Sequence, residues 1–75
     1  MSTPKNTVQI QQLPIRLGQF LKLANLVQDG VEAKIRIQNG EVMVNDLVET
    51  RRGKQLQHLD KITIDQQSWT VLFPD

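Results

Sequence analysis

The stretch "DGVEAKIRIQNGEVMVNDLVE", residues 29–49, changes its hydrophobic period halfway along. Asp29 stands three residues before Glu32, a capping-box-like pair whose carboxylates favour the positive end of a helix, and Asn39-Gly40 supplies a stop. The residues between predict a short helix over 31–39. At about 100° per residue, Ala33 and Ile37 share one stripe of that helix, whereas Lys34 and Arg36 fall on opposite flanks. Only one of those two cations can easily face a given ligand surface. From Glu41 the pattern alternates instead, and "EVMVNDLVE" reads as a hairpin with Val42 and Val44 on one face and Asn45-Asp46 at the turn. Two registers are open. A two-residue loop pairs Val44 with Leu47 and Val42 with Glu49, while a three-residue loop pairs Val44 with Val48.

Working outward, "IRLGQFLKLANLV" (residues 15–27) places Leu17, Phe20, Leu21, Ala24 and Val27 at helical spacing and predicts a first helix over 16–27. Gly18 lowers helix propensity in its first turn without abolishing the pattern. Pro14 separates it from "TVQIQ" (residues 7–11), where Val8 and Ile10 alternate with polar neighbours as in a short half-buried strand. Residues 1–6, "MSTPKN", are polar and without apolar period, so a flexible N-terminus is expected there. On the other side, "KITID" and "SWTVLF" alternate around Gln66-Gln67 and read as a closing hairpin. No internal repeat divides the chain, and residues 7–75 are expected to form a single domain.

Composition narrows the function classes. A domain of 75 residues buries a modest core and has little room for a catalytic cleft with supporting shell. Only Phe20, Trp69 and Phe73 are aromatic, so Leu, Ile and Val must supply most of the interior. The absence of cysteine rules out a disulfide framework and a zinc-thiolate centre and fits a reducing cytoplasm. No apolar run approaches a membrane span, and the first residues lack a signal-peptide hydrophobic segment. A cytoplasmic location is the expectation.

Enzyme signatures are mostly absent. His58 is the sole histidine, with no recognisable nucleophile or metal-ligand motif around it, and reads as a loop side chain. Gly18, Gly30, Gly40 and Gly53 are too far apart for a phosphate-cradling fingerprint. Asp60 reads as a surface ion-pair partner of Lys61 or Arg52. Trp69, at same-face spacing with Val71 and Phe73, reads as core rather than as a base-stacking platform. The expectation is therefore no catalysis, no cofactor and no metal.

Charge is informative in its distribution rather than its sum, since the net charge is only +1. Five acids lie between residues 29 and 49, after which "ETRRGK" (residues 49–54) sets Arg51, Arg52 and Lys54 around Gly53. Clustered cations repel one another unless solvent or an anion answers them. Taken in order, "RLGQFLKLANLV", "EAKIRIQNGEVMVND" and "VETRRGKQL" followed by "DKI" resemble the RNA-binding domain first described in the fourth protein of the small ribosomal subunit, the alpha-L motif. The resemblance spans residues 15–64 and is strongest to small, stand-alone bacterial members.

That resemblance implies an α+β fold in which two packed helices lie against a small, mostly antiparallel sheet, with Leu21, Ala33 and Ile37 buried. It also implies a basic face that grips structured RNA, with ribosomal RNA among the candidates and ribosome-associated proteins as further partners. Carried over by position, Arg16 opens the first helix, Lys34 follows Glu-Ala on the second, and Arg51, Arg52 and Lys54 form the loop; Lys22 is a weaker match. Three positions depart from the pattern. Asp46 stands where glycine usually completes the turn, Arg36 occupies a customarily apolar position and is expected to snorkel while Ile35 is left exposed, and Leu59 replaces a turn residue. The alternative function is a protein-interaction module in a ribosome-associated or other complex. A small enzyme subunit would need a turnover that nothing in the sequence predicts.

Overall fold

The computed structural model describes residues 7–10 and 14–73. The expected flexible segment 1–6 and Gln11 of the first strand lie outside the described residues. Strand β1 (Thr7–Gln9) is followed by helices α1 (Leu17–Leu23) and α2 (Gly30–Gln38), then by strands β2 (Met43–Val44), β3 (Leu47–Val48), β4 (Lys61–Ile64) and β5 (Gln67–Leu72). The five strands form one sheet in the order β1-β5-β4-β2-β3. Every pairing is antiparallel except β1 with β5. The architecture is α+β, as the sequence implies.

Both helices end in the same device, and it corrects the first boundary. The α1 helix stops at Leu23 rather than at residue 27, because Asn25 takes a left-handed φ of 60°. Its N–H then bonds to Lys22 O and that of Leu26 to Leu21 O, a Schellman closure that satisfies carbonyls otherwise left open. The apolar stripe continues past this stop because Val27 is buried from the turn, not from the helix. Gly40, at φ 78°, closes α2 in the same way, its N–H bonding Ile37 O while Glu41 N–H bonds Arg36 O. At the head of α2 the Asp29 carboxylate accepts from Glu32 N–H at 2.9 Å, and Glu32 reaches back to Gln28 N–H at 2.7 Å. The capping pair is thus real, displaced by one residue on the return arm.

The β2–β3 hairpin takes the two-residue register, with Val44 opposite Leu47 and Met43 opposite Val48. Asn45 and Asp46 adopt φ of 53° and 70°, both left-handed, as a type I′ turn demands. The closing hairpin turns one residue earlier than the sequence suggests: Asp65 and Gln66 occupy the turn at φ 54° and 64°, and Gln67 pairs with Ile64 inside β5. Pairing decides this. Ile62 must oppose Trp69 for both to face the helices, and that register leaves two residues between the strands.

The interior lies between the helices and one sheet face. Leu17, Phe20, Leu21, Ala33 and Ile37 come from the helices, and Val44, Ile62, Ile64 and Val71 from the strands. Trp69 and Phe73 are partly buried against this cluster, consistent with a packing role. Each fully buried Leu or Ile contributes about 1.5–3 kcal/mol, so a core of this size leaves narrow margin for error in a small domain. Ile35 is exposed, as expected. Arg36, however, does not simply snorkel: it bonds to Glu41 and to Asp65. Asp60 is also not an ion-pair partner of Lys61 or Arg52 among the described residues. Its carboxylate accepts from Gln57 N–H at 2.8 Å and from Asn45 Nδ2 at 2.9 Å, closing the turn whose Leu59 stands at φ 72°.

Candidate nucleic-acid interface

The loop after β3 does not hang in solvent. Its carbonyls at Arg52 and Lys54 accept from the N–H groups of Gly18 (3.0 Å) and Leu17 (2.8 Å), two of the donors that the first turn of α1 cannot satisfy internally. Leu56 N–H bonds Ile15 O at 3.0 Å, Gln55 bridges Arg16, and the Leu56 side chain is buried. Residues 52–56 therefore run alongside 15–18 as a short antiparallel pair. Arg16 caps α1, its own N–H held by Gln19 Oε1 at 2.9 Å and its Nη1 donating to Gly53 O at 3.2 Å.

Two adjoining grooves result, with Arg16 and Gly53 shared between them. One, between α1 and the N-terminal half of α2, is lined by Gly18, Gln19, Lys22, Gly30, Ala33 and Arg52 as well. The other continues over Arg51, Lys54, Gln55 and Gln57. Five of the six candidate residues thus border one or the other. Lys34 borders neither, but it stands one helical turn after Gly30, on the same stripe of α2 and exposed.

The cations are not equivalent. Arg51 forks onto Glu49, Nε to Oε2 at 2.8 Å and Nη2 to Oε1 at 3.2 Å. That hydrogen bonding holds the Glu49 carboxyl below its ordinary range and raises the Arg51 guanidinium. Arg16, Lys22, Lys34, Arg52 and Lys54 make no ion pair with an acid among the described residues. Sequence reasoning missed Glu49 as the partner of Arg51, although two-residue spacing in "ETR" was the available signal. It also missed Gln19, Gly30 and Ala33 as groove lining, for which no local pattern speaks. Arg36 is turned away from the grooves toward the β4–β5 turn, as its opposite flank on α2 requires.

Among the described residues there is no metal-binding group of His, Cys, Asp and Glu, and no helix is long and apolar enough to cross a membrane. His58 is exposed, and its Nδ1 accepts from Phe73 N–H at 3.0 Å, which fixes the ring against the last strand.

A family model described as the S4 domain matches residues 8–72, nearly the whole described chain. This chain belongs to the S4 domain family. The "Probable ribosome maturation protein RlbA" of Bacillus subtilis (strain 168) is 43% identical to it over 60 residues, covering 80% of this chain and 84% of that protein. The solution structure of YbcJ from E. coli superposes with a TM-score of 0.70 at 27% identity, over 96% of this chain and 92% of that one. YbcJ is described as carrying an alpha-L motif involved in RNA-binding. In this S4 domain the helix pair, the connecting hairpin and the returning loop are the elements that the resemblance in sequence had singled out.

Proposed function

We propose that this S4 domain is an RNA-binding module that grips structured, stem-containing RNA, with ribosomal RNA a candidate, and performs no catalysis itself. The observation that carries the reading is the docking of residues 52–56 onto the head of α1, which gathers Arg16, Lys22, Arg52 and Lys54 with no acid in ion-pair contact among the described residues. Cations held close by backbone hydrogen bonds have already lost part of their freedom, so a phosphate meets them with less ordering cost. Arg offers a planar fork to phosphate oxygens and Lys a point charge. Lys34 and Arg51 extend the same surface, Arg51 only when Glu49 yields. The RNA-binding motif of YbcJ and the ribosome maturation role suggested for the B. subtilis relative support an RNA partner.

A second reading is favoured by one feature. Val31 and Ile35, one turn apart on α2, are 67% and 53% exposed, and they suit a protein partner in a ribosome-associated complex. Salt separates the two readings. Affinity for synthetic stem-loops and for extracted ribosomal RNA should fall steeply as salt rises, and Arg52→Ala should weaken binding across stem sequences and flatten the slope by about one unit per lost contact. An affinity for RNA that is absent, or indifferent to salt and to Arg52, would favour the protein-interaction module.

A further inference from the structure

Gly30 is a glycine that the protein itself does not require. Its φ is not left-handed, since Gly40 is the glycine found in that region among the described residues, and a methyl group built on it would meet nothing within 4 Å. Backbone geometry and internal packing therefore both leave room for a side chain. Glycine at the first position of a helix instead weakens it relative to alanine. The missing side chain leaves this spot on the groove open to something outside the fold.

What lies over Gly30 is the groove between the two helices. Ala33 continues its floor one turn along α2, and Gly18, Gln19 and Lys22 form the facing wall. Arg16, Lys22 and Arg52 stand around it with no acid paired to them among the described residues. The two acids nearest in sequence, Asp29 and Glu32, are engaged with backbone N–H groups at the head of α2 and do not line the groove. The result is a shallow trough with a smooth floor and a cationic rim. A polyanionic strand with an uncharged sugar between its charges matches that distribution.

Resting on the RNA-binding reading above, we propose that the groove seats the sugar–phosphate backbone of one RNA strand, with Arg16, Lys22 and Arg52 on phosphates and Gly30 setting how deeply the ribose enters. The role of Gly30 is steric. Filling the position blocks approach without removing a charge, and this distinguishes it from the loop arginines.

The test compares Gly30→Ala, Gly30→Leu and Arg52→Ala with the wild-type chain on one synthetic stem-loop RNA over a range of salt, with thermal midpoints measured alongside. Gly30→Leu should weaken binding by about tenfold or more with the salt slope unchanged, because no phosphate contact is deleted. Gly30→Ala should weaken it less while leaving the midpoint unchanged or higher, which keeps the comparison valid if the leucine variant folds poorly. Wild-type affinity in both glycine variants, with Arg52→Ala still weakened, would overturn the groove assignment and leave the RNA-binding reading standing. A salt slope flattened by Gly30→Leu would overturn the steric role. Wild-type protein that binds neither this RNA nor extracted ribosomal RNA would instead remove the reading on which the inference rests.

Discussion

Arg36 and Asp65, 29 residues apart in sequence, are joined by both oxygens of the carboxylate, Nη1 to Oδ2 at 3.1 Å and Nη2 to Oδ1. The same guanidinium holds Glu41 through Nε at 2.9 Å. One side chain thus ties the last turn of α2 to the segment entering β2 and to the β4–β5 turn. Its stem is largely covered, the side chain being 18% exposed.

Replacing Arg36 with alanine should lower the unfolding midpoint while leaving RNA affinity near wild type, since the residue faces away from both grooves. The pH dependence follows from the same pair. Hydrogen bonding from Arg36 holds the Asp65 carboxyl below its ordinary range, so its contribution is present above the unfolded-state pKa and is lost as pH falls through the folded one. Between about pH 5 and pH 2 the midpoint should decline, and the decline should be shallower in Arg36→Ala. Parallel acid limbs in the two proteins would show that the pair does not couple to folding.

Glu49 should restrain RNA binding. Its carboxylate, on a side chain only 13% exposed, occupies the fork of Arg51, whose own side chain is 72% exposed and is therefore free to swing from Glu49 to another anion. Glu49→Gln should raise affinity for a stem-loop RNA and steepen its salt slope by up to about one contact. Arg51→Ala should cost less affinity than Arg52→Ala, because Arg52 has no acid to give up among the described residues. Equal losses from the two arginines, with Glu49→Gln neutral, would argue that the fork opens in solution.

The β2–β3 turn offers a contrast between adjacent residues of similar backbone. Asp46 is exposed and makes one ion pair, with Lys61 Nζ at 2.9 Å, whereas Asn45 donates to Asp60 and accepts from Lys61 N–H at 2.9 Å. Asp46→Gly should be neutral to stabilising by about 0.5–1 kcal/mol, relief of the left-handed backbone outweighing a surface pair. Asn45→Gly should destabilise by about 1–2 kcal/mol, because two latching hydrogen bonds are lost. Urea unfolding of the two variants provides the comparison, and a reversed order would contradict the latch.

Much of the fold was legible in the sequence. The period-2 and period-3.6 patterns marked the helices and hairpins because each is carried by residues two to four positions apart, close enough for side-chain type to report the face they share. Leu21, Ala33 and Ile37 are buried for that reason. Residue type and order, read through the family motif, nominated the basic loop and its neighbours on the helices as the proposed RNA face.

What the sequence determined by itself, then, was the order of elements, the apolar faces and which cations to propose for an RNA-facing surface. Tertiary structure alone decided where α1 stops, which residues make the last turn, how the cations are grouped and which of them is already answered. The physical reason is that these outcomes rest on backbone groups meeting across the chain. Leu26 N–H finds Leu21 O only once Asn25 turns left-handed, and Gly18 N–H finds Arg52 O across a separation no local pattern records. Backbone donors and acceptors are alike at nearly every residue. Their partners are chosen by the packing of the whole domain, and the pairing of Arg51 with Glu49 and the open floor at Gly30 come with that choice.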